Sequence, residues 1–278
     1  MSRTRVFALT LLAMLAFAAN SLLCRAALKH STIDAASFTL VRLVSGALVL
    51  WLMVRVRDGR PVAAGGWASA LALFVYAAAF SFAYVSLTAA TGALLLFGAV
   101  QTTMIGVGLY RGERLRAVQT TGLACALAGL LGLLLPGLSA PPWQGSLLML
   151  AAGVAWGVYS LRAKGSGDPL RATAGNFLRA VVFAAALSLV MRSSMALDAA
   201  GIGWAIASGA LASGVGYAIW YTALAGLKAT SAATVQLSVP VIAALGGVVL
   251  LGEPLTLRLV IASGAILGGI ALVIARRH

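Results

Sequence analysis

The two halves of this chain carry the same scarce residues in the same order. At an offset of 137 residues, Arg25 aligns with Arg162, Arg42 with Arg179, Arg55 with Arg192, Trp67 with Trp204, Tyr84 with Tyr221 and Leu87 with Leu224. A three-residue insertion in the second half moves the offset to 140. Gly112-Glu113 then meets Gly252-Glu253, Leu115 meets Leu255, Leu127 meets Leu267 and Gly129 meets Gly269. Leucine pairs carry little weight in a chain that is 62% hydrophobic. Pairs of Arg, Trp and Glu do, because only 9% of residues are charged. A soluble domain of this size cannot hide so much apolar surface, so the repeated unit belongs in a membrane. An internal repeat there points first to a transporter whose halves enclose a site near the bilayer midplane.

A spanning helix needs roughly 20 mostly apolar residues. The sequence breaks into ten such runs, near 6–27, 34–54, 66–87, 90–110, 117–136, 143–163, 170–191, 203–225, 229–251 and 256–275. Arg3 and Arg5 followed by Ala16-Phe17-Ala18 have the form of a signal peptide. The segment Ala18–Arg25 has its counterpart at Ala155–Arg162, however, so a retained first helix is expected. The net charge of +14 is topological information. With ten spans, one face collects Arg3, Arg5, Arg55, Arg57, Arg60, Arg111, Arg114, Arg116, Arg162, Lys164, Arg171, Lys228, Arg276 and Arg277. The other holds Arg25, Lys29, Arg192 and Arg258. That bias places both termini in the cytoplasm of a bacterial inner membrane, and no nucleic-acid partner is implied. Cys24 and Cys125 read as small apolar packing residues.

Each half carries five spans, residues 1–138 and 139–278. Because five is odd, the second half enters the membrane from the opposite side and the repeats are inverted. The fold class expected is all-α, ten transmembrane helices in two inverted five-helix repeats around a central cavity. Gly153-x-x-x-Gly157, Gly264-x-x-x-Gly268, Gly129 and Gly132 are expected at close helix contacts. Pro240 lies mid-span and should kink its helix; its repeat partner is Val100.

An Arg closing the first helix of each half (Arg25, Arg162), an Arg within the second (Arg42, Arg179) and a Gly-Glu-x-Leu turn after the fourth (Gly112–Leu115, Gly252–Leu255) resemble the drug/metabolite transporter superfamily, in its ten-helix branch with two EamA-type repeats. Ala155-Trp156-Gly157 is similar to the start of such a repeat, although the first half has Ala18-Ala19-Asn20. The resemblance implies a basket in which the first, third, fourth, sixth, eighth and ninth helices line the cavity and the fifth and tenth are peripheral. It also implies export of amino acids, metabolites or amphipathic cations, and the chain looks similar to the branch that exports aromatic amino acids.

The residues suit such a cargo. Tyr76, Phe80 and Tyr84 recur every four positions and share a helical face, as do Tyr217, Trp220 and Tyr221. Trp156 and Tyr159 add to them, with Phe97 and Gln101, Asn20 with Ser21, and Gln236 with Thr234 and Ser238. The expected substrate-binding set is Asn20, Tyr76, Phe80, Tyr84, Phe97, Gln101, Trp156, Tyr159, Tyr217, Trp220, Tyr221 and Gln236. Mid-span hydroxyls, indole N–H groups and amides need polar partners that a hydrated cavity supplies. Tyr84 and Tyr221 should sit at opposite ends of the pathway and contribute to alternate gates. Trp67 and Trp204 are expected as interface anchors. All six acids (Asp34, Asp58, Glu113, Asp168, Asp198, Glu253) and both histidines (His30, His278) are peripheral. No mid-span proton carrier follows, so a facilitator or exchanger is expected. Glu113 and Glu253 either reach inward or cap and form loop salt bridges with Arg114 or Arg116; the second reading is favoured. Arg42 and Arg179 either hold a substrate carboxylate or bind helix-end carbonyls and snorkel; the second reading is favoured because the family keeps the second and seventh helices off the cavity centre. No paired acids, metal-ligand cluster or nucleophile–base set is present, so neither an enzyme nor a cofactor is expected. The expected partners are a small-molecule substrate and the lipid bilayer, around a monomer. Broad export of lipophilic cations is the alternative.

Overall fold

In the computed structural model, residues 2–59, 64–112, 114–137, 140–163, 167–227 and 229–275 are described. Ten long apolar helices occur among them: α1 (Arg3–His30), α2 (Ala35–Asp58), α3 (Trp67–Tyr84), α4 (Ala89–Tyr110), α5 (Ala117–Leu134), α6 (Trp143–Ala163), α7 (Pro169–Val190), α8 (Ala199–Leu224), α9 in two pieces (Ala229–Gln236 and Ser238–Leu251) and α10 (Leu257–Ala275). The protein is an all-helical, multi-pass membrane protein. The position taken for the junction between repeats, 138/139, lies outside the described residues, as do Glu113 and His278.

The helix pairs follow the repeat. The second helices of the two halves pack on each other (α2 with α7), as do the fifth (α5 with α10). The contacts of α3 and α4 with α6 have their counterparts in those of α8 and α9 with α1. The halves therefore interlock, and each first helix is held by the other half.

Short polar turns fix the helix ends. The Asp34 carboxylate accepts from the N–H groups of Ala36 and Ser37 and also from Ala196 N–H. Asp198 in turn accepts from Gly201 N–H and from Thr32 N–H. These two aspartates clasp the α1–α2 turn to the α7–α8 turn while satisfying orphan donors at two helix starts. Burial opposes ionisation of Asp34, but the hydrogen bonds from Ser37, Ala196 and Ala36 outweigh it and hold the carboxyl below its usual range. On the opposite face Arg57 pairs with both Asp58 and Asp168. Trp67 and Trp204 are exposed near helix ends, where interface anchors belong.

Glycine supplies the closest approaches, at some of the expected positions. A Cβ on Gly153 would lie 2.5 Å from the Ala99 Cβ, and one on Gly157 would lie 3.0 Å from Thr103, so α6 and α4 touch through these two residues. Gly129 likewise faces Ala265. Gly264 and Gly268 of α10 and Gly132 of α5 have nothing within 4 Å among the described residues, which corrects the expectation for them. The α5–α10 contact at Gly129 continues through Gly122 and Gly269, where a Cβ added to Gly269 would lie 2.4 Å from the opposing carbonyl of Gly122. Gly269→Ala should therefore destabilise by about 1–3 kcal/mol through overpacking. Gly264→Ala and Gly268→Ala should be neutral or stabilising by about 0.5–1 kcal/mol through reduced chain entropy. Unfolding of the three variants in one detergent checks the contrast.

Two helices depart from regular geometry. The α9 helix breaks at Leu237, three residues before Pro240, where proline excludes the preceding turn's carbonyl and supplies no donor of its own; α4, which carries Val100, is continuous. In α8, residues Ala207–Val215 form a π segment, while its counterpart in α3 is ordinary α-helix. The segment is built almost wholly of Ala, Ser and Gly. Its Gly209 lies so close to α2 that a Cβ would be 2.0 Å from the Arg42 carbonyl. A π turn re-phases the residues that follow it, and these are Tyr217, Trp220 and Tyr221.

Candidate functional site

A cavity of about 620 Å³ occupies the centre of the helix basket. Its wall is aromatic. Trp156 of α6 stacks on Tyr159 (ring centroids 5.3 Å apart, 29° between planes) and on Tyr217 (5.3 Å, 21°), and it packs 4.8 Å from Tyr76. Phe80 extends the series from Tyr76, and Tyr221 extends it from Tyr217. Phe97, Gln101 and Gln236 complete the wall from α4 and α9. The space continues past Met104 and Gly108 to Arg111, Ala163, Pro169 and Leu224. These four lie at the helix ends on the face that carries both chain ends, so the cavity reaches that face.

Eleven of the twelve expected binding residues line this space; Tyr84 is the exception. Tyr84 is fully buried behind Phe80, and the hydroxyl-bearing edge of its ring lies against Gly92, where a Cβ would be 2.4 Å away. Neither Thr234 nor Ser238 is in the lining; the Ser238 hydroxyl turns back to the Val235 carbonyl. Phe17 lines the cavity and packs against Tyr217 and Trp220. The sequence reading missed it as part of a cleavage-like Ala-Phe-Ala, although it lies one turn before Asn20 and Ser21 on the same face. Val273 and Ile274 of α10 also reach the lining, so the tenth helix is not wholly peripheral.

The two intramembrane arginines behave differently. The Arg179 Nη1 donates to the loop carbonyl of Ala64 and to the carbonyl of Gly175 within α7, each at 2.9 Å. Arg42 corrects the expectation. It is 2% exposed, and its guanidinium lies against the rings of Phe80 (4.9 Å) and Tyr76 (5.3 Å). Arg42 Nη2 donates to the Tyr76 hydroxyl at 3.1 Å, and Asn20 Nδ2 donates to the same oxygen at 3.2 Å. Ser208 of the π segment donates to Asn20 Oδ1 at 2.7 Å. A polar chain thus crosses α2, α3, α1 and α8 at one end of the aromatic wall. Among the described residues, Arg42 Nε and Nη1 have no hydrogen-bond partner.

Beyond Tyr76 and Phe80 the cavity is sealed. Glu253 is 5% exposed and pairs with Arg25 at 3.0 Å, not with Arg114 or Arg116. Its second oxygen accepts from Ala89 N–H at 2.7 Å. Arg25 Nη1 donates to the carbonyls of Tyr84 and Val85, and Lys29 donates to the Leu251 carbonyl. This seal ties α1, α3, α4 and the α9–α10 turn together.

Among the described residues no group of three His, Cys, Asp or Glu side chains is near enough to hold a metal ion. Residues 143–275 match the EamA-like transporter family. An uncharacterized protein of Pseudomonas aeruginosa is 62% identical over 98% of this chain and 96% of its own length. A segment of 62 residues is 45% identical to an uncharacterized transporter of Archaeoglobus fulgidus, covering 22% of each. A crystal structure 21% identical in sequence superimposes over 98% of both chains with a TM-score of 0.69, which places the fold among solved ones.

Proposed function

We propose that this multi-pass membrane protein, whose residues 143–275 match the EamA-like transporter family, is a transporter that exports aromatic or other apolar amino acids from the bacterial cytoplasm. The reading rests above all on the Trp156-centred stack facing a cavity of about 620 Å³. Flat rings gain stacking and edge contacts from such a wall, and the volume lies in the range of ordinary small-molecule sites. The face bearing the termini is cytoplasmic in this reading, by the distribution of Lys and Arg. The cavity is then poised to load from inside, with its outer end shut by Arg25 and Glu253. Transport proceeds by alternating access as the halves 1–138 and 139–278 exchange their packing. Since the described lining holds no carboxylate or imidazole, cargo moves down its own gradient or by exchange.

Aromatic walls also attract cations, which keeps export of lipophilic cations as the alternative. The buried positive charge of Arg42 behind the wall works against it. Transport by proteoliposomes loaded with tryptophan, with and without an imposed pH gradient, tests the reading. Tryptophan movement without the gradient, inhibited by phenylalanine and tyrosine, is the expected result. A strict requirement for the gradient removes the facilitator mechanism. No tryptophan movement, in vesicles competent for another solute, removes the substrate class.

A further inference from the structure

We propose that the Tyr76 hydroxyl, backed by Arg42, is the docking point for a carboxylate, so that the transported species is an aromatic or apolar acid or zwitterion and not a plain cation. The inference rests on the aromatic-export reading and adds its second recognition element. The Tyr76 oxygen has two lone pairs, and two N–H donors occupy them, Arg42 Nη2 at 3.1 Å and Asn20 Nδ2 at 3.2 Å. Ser208 fixes the amide of Asn20 in that orientation by donating to its oxygen. The phenolic proton is left to donate elsewhere, and Tyr76 lines the cavity. A hydroxyl that accepts from a guanidinium is polarised toward donation, and its best acceptor is an anion.

Charge balance leads to the same ligand. Arg42 is nine-tenths buried or more, and two of its nitrogens have no hydrogen-bond partner among the described residues. No carboxylate among the described residues pairs with it; the buried acid Glu253 is taken by Arg25. Aromatic faces offset part of the charge, yet a guanidinium inside a membrane span is expensive and normally faces a partner. A carboxylate at Tyr76 supplies that partner across one hydroxyl. Arg179, the same residue in the other half, has two carbonyl acceptors. The anion subsite is therefore single and sits at the sealed end of the wall.

Three indoles separate the possibilities in the purified full-length protein: tryptophan, indole-3-propionate (carboxylate without amine) and tryptamine (amine without carboxylate). Affinities are read from ligand-dependent thermal shifts in detergent. Tryptophan and indole-3-propionate are expected to bind about tenfold or more tightly than tryptamine. Tyr76→Phe keeps the ring and removes the proton; it should weaken both carboxylates about tenfold or more and leave tryptamine within about twofold. Arg42→Lys should retain the preference for carboxylates, and Arg42→Gln should lose it where the variant still unfolds cooperatively. Equal binding of tryptamine and indole-3-propionate by the wild type overturns the anchor and leaves the aromatic reading in place. So does a Tyr76→Phe variant that weakens all three alike. If none of the indoles binds, the aromatic reading itself falls and the anchor falls with it.

Discussion

Glu253→Gln is expected to unseal the closed end of the cavity. Glu253 accepts from Arg25 Nε at 3.0 Å and from Ala89 N–H at 2.7 Å, while Arg25 also holds the carbonyls of Tyr84 and Val85. Glutamine retains an acceptor for Ala89 but leaves the guanidinium without its counter-charge. Breaking a buried pair from one side costs about 3–5 kcal/mol. Arg25 lies near a membrane face with its side chain 13% exposed, so water recovers part of that and about 2–3 kcal/mol is the working figure. That shifts the balance between sealed and open ends about 30- to 150-fold. The readout is the labelling rate of Ser21→Cys by a membrane-impermeant maleimide added on the face away from the termini. Cys24 and Cys125 are first replaced by alanine. Ser21 lines the cavity and is 2% exposed, so the parent should label slowly and the Glu253→Gln variant about tenfold faster or more. Arg25→Gln should act alike, and the double variant should add little to either, because both remove one coupled contact. Unchanged labelling in both single variants would show that the seal is held elsewhere.

The sequence carried the helices well and the lateral contacts poorly, for a physical reason. Helical spans announce themselves by local apolar length, and the repeat of Arg, Trp and Glu pairs adds order to them. The cavity wall was legible because i, i+4 spacing fixes a shared face: Tyr76 with Phe80, and Tyr217 with Tyr221, needed no tertiary information. What a face meets is not local. Arg42 and Arg179 occupy equivalent positions, yet one lies under Tyr76 and Phe80 and the other binds carbonyls. The difference depends on a loop carbonyl at Ala64 that reaches only Arg179. Glycine spacing has the same limit. Gly264 and Gly268 fit a packing motif yet meet nothing within 4 Å among the described residues, while Gly122 and Gly269 carry the contact together with Gly129. Tyr84 kept its predicted face, but Gly92 let its ring sink into α4. Ala207–Val215 contains nothing that forbids an ordinary α-helix; the small residues only permit the π geometry that the contact with α2 selects. The pairing of Glu253 with Arg25 spans 228 residues and had no sequence signal beyond the scarcity of both.

Trp156→Ala is expected to have the largest effect on aromatic cargo. The indole touches Tyr76, Tyr159 and Tyr217 at 4.8, 5.3 and 5.3 Å, and each such pair contributes about 0.5–1.5 kcal/mol beyond buried area. Alanine removes the three contacts together and frees the remaining rings to collapse into the space that a substrate ring would occupy. A substrate then loses its central stacking partner and meets a wall that must reorganise before it can bind. Two stacking contacts' worth, about 2 kcal/mol, corresponds to about a 30-fold fall in tryptophan transport at subsaturating concentration. Leucine, which gains less from planar stacking, should fall less than about threefold. Trp156→Phe keeps a ring at the centre of the stack and should retain tryptophan transport within about fivefold. The comparison of two cargoes in one variant separates recognition from folding. Trp156 also belongs to the apolar packing between α3, α6 and α8, and a misfolded protein would lose both solutes equally. An equal loss of tryptophan and leucine would make Trp156 a scaffold residue, and the aromatic preference would then have to come from Tyr76, Tyr217 and Phe17. A selective loss would place the recognition of the ring on α6, between the sealed end at Tyr84 and the mouth at Arg111.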